Sequence, residues 1–272
     1  MSGTDRGVAI AEIIRIALAA GDGILTVYSA PFEVCLKADS SPVTKADLLA
    51  EEIILEGLRR VAPGIPIVAE ESACAGAMPD VIDTFFLVDP LDGTREFVSR
   101  SDEFTVNIGL IKNGEPVLGV VYAPATGEIA YTDPEGGPFA GRVREGELVD
   151  LHPIRTRGFE PGETIALVSR SHCDDRTRAS LARFSPSITE ALGSSLKFCR
   201  IAEGLADIYP RHGPTMQWDT AAGDAILRAA GGCVVAPDGA PLRYARVVPG
   251  ATCDFGNPDF FAFGDPALAE RF

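Results

Sequence analysis

Hydrophobic residues recur at helical spacing at the start of the chain. Their period predicts an amphipathic helix over residues 5–29 and a second helix over about 45–61, for which Thr44 is the expected N-cap. Short apolar runs predict strands over 33–37 and 66–69. Residues 73–83 have no periodicity and are rich in turn formers, so they are predicted to form a loop.

Short apolar runs and strict alternation become the dominant pattern from residue 85 onward. The run Phe85-Phe86-Leu87-Val88 is typical of a buried strand, and Pro90 with Gly93 predicts a turn directly after it. Asn113-Gly114 predicts a hairpin turn. Strands are predicted over 105–112, 116–122, 127–132 and 138–143.

The rest of the chain alternates predicted strands with predicted helices. Strands are expected over 164–169, 187–191, 206–209, 233–236 and 260–263, and helices over 173–184, 193–203, 217–230 and the C-terminus. Residues 145–160 are polar and contain Gly and Pro, which is typical of a domain seam. We therefore divide the chain into an α+β unit, 1–150, and an α/β unit, 151–272. The order of elements predicts an α/β protein of layered sheets and helices.

Composition and charge limit the classes of partner. The chain has 272 residues, a net charge of −15 and a pI near 4.6. An acidic surface disfavours binding to a nucleic acid polymer or to an anionic membrane. The six cysteines include no C-x-x-C pair, and the sequence has neither a signal-peptide pattern nor an apolar run of about 20 residues. These features predict a cytoplasmic protein without a transmembrane segment.

Acidic residues stand where predicted strands end or predicted helices begin. Asp89 and Asp92 follow one buried strand, and Glu70 follows another. Asp47 and Asp219 lie in the first turns of helices. Capping or turn formation explains each acid alone. Together they supply the oxygen ligands that Mg²⁺ prefers, beside a helix start that favours a phosphate. This combination predicts Mg²⁺-assisted hydrolysis of a phosphate ester.

Three linked motifs make the sequence similar to the inositol monophosphatase superfamily. They are Asp89-Pro90-Leu91-Asp92-Gly93-Thr94, Glu70-Glu71-Ser72 and Trp218-Asp219-Thr220-Ala221-Ala222-Gly223. Within the superfamily the chain most resembles the CysQ-type 3′(2′),5′-bisphosphate nucleotidases, through residues 39–47, 95–97, 193–199 and 206–211. The resemblance implies the αβαβα sandwich of the sugar phosphatases, with the metal motif in 1–150 and 151–272 completing the site.

The resemblance also implies roles for individual residues. Two to three Mg²⁺ ions would be held by Glu70, Asp89, the backbone carbonyl of Leu91, Asp92 and Asp219. Asp47 and Thr94 would orient and deprotonate the attacking water. Substrate would contact Glu70, Leu91, Asp92, Gly93, Thr94, His172, Ser194, Lys197, Arg211 and Asp219. Two alternatives stay open at this point: His172 as an exposed loop residue and Ser194 as only a helix N-cap.

The implied reaction is hydrolysis of adenosine 3′,5′-bisphosphate, a small-molecule partner, to AMP and phosphate. The resemblance extends the substrates to the sulfated analogue and implies lithium inhibition, a place in sulfur assimilation, and a monomer or homodimer. The resemblance also extends to peripheral association with the inner membrane, although nothing apolar or basic here argues for it.

Two rival functions lead to different expectations. An inositol-1-monophosphatase, or a related sugar-phosphate phosphatase, would have no need of Lys197 and Arg211. A noncatalytic phosphate- or metal-binding regulator would be favoured by loss of Asp47 or Thr94, and both residues are present.

Overall fold

The computed structural model describes residues 8–36, 42–81, 83–133, 137–171, 173–248 and 250–271. The chain begins with α1 (Ile10–Tyr28), β1 (Val34–Leu36), β2 (Pro42–Thr44) and α2 (Lys45–Val61). Both predicted N-terminal helices are present, although α1 begins at Ile10 and not at residue 5; residues 5–7 of that prediction lie outside the described residues. Thr44 caps α2 as predicted, because its Oγ1 accepts a hydrogen bond from the amide of Ala46 while its own amide donates to Asp47.

A seven-stranded sheet follows, with its strands in chain order. It contains β3 (Ile67–Ala69), β4 (Thr84–Asp92), β5 (Thr105–Lys112), β6 (Glu115–Ala123), β7 (Glu128–Asp133), β8 (Gly137–Arg144) and β9 (Glu147–Pro153). Only the β3–β4 pair is parallel. β9 was not predicted; it is a largely exposed edge strand, so its sequence lacks the apolar alternation that burial imposes.

A five-stranded sheet forms the second half, in the order β11-β10-β12-β14-β13. Its strands are β10 (Ile165–Ser169), β11 (Ile188–Leu192), β12 (Ile208–Arg211), β13 (Cys233–Val235) and β14 (Phe260–Phe263). Its helices are α5 (Asp175–Ala182), α6 (Leu196–Ala202), α7 (Gln217–Ala229) and a C-terminal 3-10 helix (Pro266–Arg271). Two further short helices, α3 (Glu70–Cys74) and α4 (Thr94–Val98), flank β4.

The two sheets and three groups of helices stack as five layers. Alternating side chains of β4 face opposite cores: Phe86 packs into the core shared with α1 and α2, and Phe85 into the core shared with α6 and α7. In β12, Tyr209 joins the α6/α7 core, whereas Ile208 packs on the side of α5 and the C-terminal helix. The predicted αβαβα sandwich is therefore confirmed.

Helix α7 is the middle element that both sheets share. It packs against β5 and β6 although it belongs to the second half of the sequence. A side chain at Gly119 would lie 2.2 Å from the carbonyl oxygen of Ala222, and one at Gly109 would lie 2.9 Å from the Cβ of Ala221. Glycine at these two positions lets α7 approach the sheet. The division at residue 150 stays a prediction, and the first sheet extends to Pro153.

None of the helices in the described ranges combines the length and apolar character that crossing a bilayer requires.

Candidate active site

A cleft of about 430 Å³ lies where β4, α3, α4, α6, β12 and α7 meet. It is lined by ten residues that the sequence singled out: Glu70, Asp89, Leu91, Asp92, Gly93, Thr94, Ser194, Lys197, Arg211 and Asp219. Asp47 lies behind this lining and contacts it through Thr94. His172 falls outside the described residues. The fold therefore brings together residues that are far apart in sequence, while the roles given to them stay predictions.

The central motif continues β4 to Asp92, so the chain turns at Gly93 as predicted but not directly after Val88. Asp89 pairs with Asn107, and Asp92 pairs with Thr105, so one strand has an extra residue between these two pairs. The turn predicted at Pro90 was wrong because a β-bulge accommodates a proline that cannot donate to the ladder. In a regular strand, residues three apart point to opposite faces. The bulge therefore lets both aspartates line one cleft.

Glu70 begins the short helix α3, where the sequence pattern predicts the end of a strand followed by a loop. The buried carboxylate of Glu51 accepts hydrogen bonds from the amides of Glu71 and Ser72, each at 2.8 Å. These bonds satisfy free N–H groups in the first turn of α3 and fix where Glu70 stands. Sequence reasoning missed Glu51, since a side chain 20 residues away that caps a helix leaves no local signal.

Four carboxylates form the acidic wall of the cleft: Glu70, Asp89, Asp92 and Asp219. Burial, reinforced by the charges of the other three acids, raises the pKa of Asp89 well above its usual value. Burial and the neighbouring Asp92 and Glu70 likewise raise the pKa of Asp219. Burial also raises the pKa of Asp92. Neighbouring carboxylates of which one is buried and three are partly buried favour a bound cation, because it offsets their mutual repulsion.

The acidic wall fits an open Mg²⁺ site. No group of three or more His, Cys, Asp or Glu side chains among the described residues has an arrangement that could hold a metal ion by itself. Mg²⁺ in proteins usually takes only one or two carboxylates, however, and water and substrate phosphate complete its octahedral coordination. The buried Asp89 and the partly exposed Glu70, Asp92 and Asp219 line one cleft and fit that partial ligand set.

Asp47 and Thr94 form a hydrogen-bonded pair at the edge of the acidic wall. The hydroxyl of Thr94 donates to Oδ1 of Asp47 at 3.1 Å. Oδ2 of Asp47 accepts from the amide and the hydroxyl of Thr44, both at 2.7 Å. Burial raises the pKa of Asp47 in spite of these bonds. The geometry suits a hydroxyl whose proton is withdrawn by a fixed carboxylate.

Gly93 provides the tight entry into α4 that places Thr94. Its φ is +94°, in the left-handed region, and a Cβ at this position would lie 3.1 Å from the backbone oxygen of Glu103. Both observations require glycine.

Lys197 and Arg211 line the same cleft, and we call them its cationic wall. Nζ of Lys197 donates to the carbonyls of Leu192, at 3.1 Å, and Ser194. Burial, followed by repulsion from Arg211, lowers the pKa of Lys197 to about 8, against the opposing effect of Asp92. Arg211 is 6% exposed and donates through Nη2 to Pro214, while its buried Nε and Nη1 have no hydrogen-bond partner among the described residues.

Ser194 is not the N-cap of α6, so that alternative was wrong; the N-cap residue is Ser195. Ser194 has a φ of +48°, and its buried hydroxyl has no partner in the described chain. A ligand in the cleft would supply the hydrogen-bond partner that this hydroxyl lacks.

Two residues that sequence reasoning missed tie β5 and the start of α6 to the acidic wall. Nδ2 of Asn107 donates to Oδ2 of Asp92 at 3.2 Å and to Oγ of Ser195 at 2.9 Å. Oγ of Ser195 lies 2.9 Å from Oδ2 of Asp92 and 2.7 Å from the backbone oxygen of Asp219, and its single proton can serve either acceptor. The available signal was a polar side chain inside an apolar strand, since Asn107 is buried in β5.

Comparison with known proteins is consistent with this geometry. The model of the inositol monophosphatase family matches residues 8–255. The protein of Salmonella typhimurium named 3′(2′),5′-bisphosphate nucleotidase CysQ is 45% identical over 235 residues, which cover 86% of this chain and 92% of that protein.

Two solved structures extend the comparison to the fold. CysQ from Bacteroides thetaiotaomicron, described as a bacterial member of the inositol monophosphatase family, superposes with a TM-score of 0.75 at 37% identity, covering 93% of this chain and 96% of that one. The Thermotoga maritima IMPase superposes with a TM-score of 0.75 at 25% identity, covering 95% of this chain and 92% of that one.

Proposed function

The chain belongs to the inositol monophosphatase family, and we propose that it is a Mg²⁺-dependent 3′(2′),5′-bisphosphate nucleotidase that hydrolyses adenosine 3′,5′-bisphosphate to AMP and phosphate. The observation that carries this proposal is the cationic wall. Two buried nitrogens of Arg211 lack partners within the described part of the chain, and Lys197 lines the same cleft. A substrate with one phosphate engages the acidic wall alone, whereas a bisphosphate uses both walls. Arginine suits the second phosphate because its guanidinium binds such groups in a bidentate manner.

The acidic wall is assigned to the phosphate that is cleaved. Glu70, Asp89, the carbonyl of Leu91, Asp92 and Asp219 would hold two to three Mg²⁺ ions. When bound, these ions neutralise the phosphate oxygens and make a bound water more acidic. In this proposal, the backbone amides of Gly93 and Thr94 orient the phosphate that is cleaved.

The Thr94–Asp47 pair is assigned to proton transfer. A water hydrogen-bonded to Oγ1 of Thr94 would give its proton to that oxygen as the Thr94 proton moves to Asp47. The raised pKa of Asp47 helps, because a base with a higher pKa holds the proton more firmly.

The finer parts of the proposal follow the named relatives. Relatives with 43–45% identity carry the name 3′(2′),5′-bisphosphate nucleotidase CysQ. We extend the proposal to the sulfated analogue as a second substrate, to lithium inhibition, to a role in sulfur assimilation, and to a cytoplasmic monomer or homodimer.

The test measures phosphate release from adenosine 3′,5′-bisphosphate and from inositol 1-phosphate side by side, with Mg²⁺ and then with added Li⁺. We expect a strong preference for the nucleotide and loss of activity in lithium. Preference for inositol 1-phosphate would instead favour the inositol-1-monophosphatase reading and remove the roles given to Lys197 and Arg211. Release from neither substrate would contradict both readings.

A further inference from the structure

Glu103 joins the two halves of the molecule beside the cleft, outside the residues assigned so far. It lies between α4 and β5, on the side of the seven-stranded sheet. Its Oε2 accepts hydrogen bonds from the amide of Gly193 at 2.7 Å and from Nε of Arg170 at 2.8 Å. Its Oε1 accepts from Nη2 of Arg170 at 2.6 Å. Both partners lie just beyond strands of the five-stranded sheet, so one carboxylate spans the junction of the sheets.

The turn that Glu103 holds is the same turn that holds Lys197. Gly193 stands between Leu192 and Ser194, and the carbonyls of these two neighbours accept the hydrogen bonds of the Lys197 ammonium. The amide of Gly193 and the carbonyl of Leu192 belong to one planar peptide unit, so a hydrogen bond to that amide fixes the direction of the Leu192 carbonyl and anchors the turn that carries the Ser194 carbonyl.

The turn has little freedom and needs support. A Cβ at Gly193 would lie 2.7 Å from the backbone oxygen of Glu103 and 2.9 Å from Cγ of Glu96. Ser194 adopts a φ of +48°, which non-glycine residues rarely take unless their surroundings impose it. Glu103 is the charged acceptor in these surroundings, and its bond to the Gly193 amide is charge-assisted.

The negative charge of Glu103 also favours a charged Lys197. Burial lowers the pKa of Lys197, and the negative charges of Asp92, Glu96 and Glu103 oppose that effect. Glu103 thus helps to keep the ammonium charged as well as placed.

We propose that Glu103 is a positioning residue that sets the Lys197 ammonium for the second phosphate, and so determines specificity for bisphosphates over monophosphates. This inference rests on the proposed function. The alternative is a purely structural role, in which Glu103 only ties the two sheets together through its ion pair with Arg170.

The decisive experiment compares Glu103→Ala, Glu103→Gln and Arg170→Ala with the wild type, using adenosine 3′,5′-bisphosphate and the one-phosphate probe 4-nitrophenyl phosphate. In Glu103→Ala we expect KM for the bisphosphate to rise about tenfold, the loss expected for one charge-assisted contact, with kcat and the probe kinetics within about twofold. Glu103→Gln retains an oxygen for Gly193, and Arg170→Ala leaves the Glu103–Gly193 bond intact. Both should raise KM less than about threefold.

Three outcomes would contradict the role proposed for Glu103. Equal losses on both substrates in Glu103→Ala, or an effect of Arg170→Ala as large as that of Glu103→Ala, would show a merely structural tie and overturn the inference. So would an unchanged KM in a Glu103→Ala protein whose melting temperature shows that it is folded.

A second readout separates this inference from the proposed function. Acetylation of Lys197 by acetic anhydride, measured by mass spectrometry, should be at least about fivefold faster in Glu103→Ala, because a looser carbonyl cage exposes the amine. A wild type without preference for the bisphosphate would defeat the proposed function. In that case the acetylation rate would still test whether Glu103 positions Lys197. An acetylation rate in Glu103→Ala equal to that of the wild type would overturn the inference.

Discussion

The acidic and cationic walls of the cleft handle buried charge in different ways. The acids crowd one another, and burial together with mutual repulsion raises the pKa of Asp89 and of Asp219. On the cationic wall, Lys197 is held by neutral carbonyls, and Arg211 leaves two nitrogens without partners in the described chain. The walls act on each other through charge, because Lys197 opposes the rise in the pKa of Asp92 and Arg211 opposes the rise in the pKa of Asp219.

Buried charges elsewhere in the molecule behave differently. Asp224 is fully buried and accepts from Nε of Arg228 at 2.7 Å and from the hydroxyl of Tyr244 at 2.9 Å. Asp207, also buried, takes both a guanidinium contact from Arg157 and the amide of Ile165. These pairs are complete without a ligand. In the cleft, by contrast, Nε and Nη1 of Arg211 and the hydroxyl of Ser194 have no hydrogen-bond partner among the described residues, which is typical of a site that a ligand completes.

The largest effect should come from breaking the acidic wall. We expect Asp92→Asn to leave the fold intact and to lower kcat about 1,000-fold, because a fixed charge near the reacting phosphate is lost. Circular dichroism and phosphate release check this expectation. Asp175→Asn, at a side chain that is 97% exposed, is the matched control and should be silent. Wild-type turnover in Asp92→Asn would contradict the assignment of Asp92 as a Mg²⁺ ligand.

Removing the cationic wall should separate the two substrates. We expect Arg211→Ala to raise KM for adenosine 3′,5′-bisphosphate about 100-fold, as for loss of a bidentate phosphate contact, with little change for 4-nitrophenyl phosphate. Lys provides a charge without the bidentate geometry, so Arg211→Lys should recover only part of the loss. A loss of the same size on both substrates would mean that Arg211 supports the fold and not the second phosphate.

The melting temperature of the metal-free protein should reveal the repulsion among the carboxylates of the acidic wall. Asp89→Asn keeps an oxygen for the amide of Leu91 while it removes one of the crowded charges. We expect the metal-free variant to melt about 2–4 °C higher than the metal-free wild type, since each kcal/mol gained shifts a chain of this size by about that much. Scanning calorimetry should also show that Mg²⁺ raises the melting temperature of the wild type much more than that of the variant. An equal Mg²⁺ shift in both proteins would argue against Asp89 as a ligand.

The smallest effect should be a dependence on pH through Lys197. Its pKa of about 8 means that the ammonium is charged below that pH and loses its proton above it. KM for the bisphosphate should therefore rise about tenfold between pH 7 and pH 9, following the charged fraction of such a group. Lys197→Arg should abolish the rise, because arginine stays protonated. A rise that persists in Lys197→Arg would assign it to another group.

Local patterns predicted most of the elements correctly. The helix over 45–61 and the strand over 105–112 have the predicted bounds, since a clear apolar period and a capping Thr44 or an Asn113-Gly114 turn delimit them. The failures have physical causes. The exposed strand β9 has no buried face to impose alternation, and α3 is capped by Glu51 from another helix.

The sequence by itself determined which chemical groups the protein has and the local elements that carry them, because caps, turns and apolar periods depend on neighbouring residues. Only the tertiary structure decided how these groups meet. The β4 bulge turns Asp89 and Asp92 to one side, Asn107 reaches Ser195 across 88 residues of sequence, and Glu103 reaches Gly193 across 90. Such contacts depend on how two sheets and a shared helix pack, and no local pattern encodes that packing.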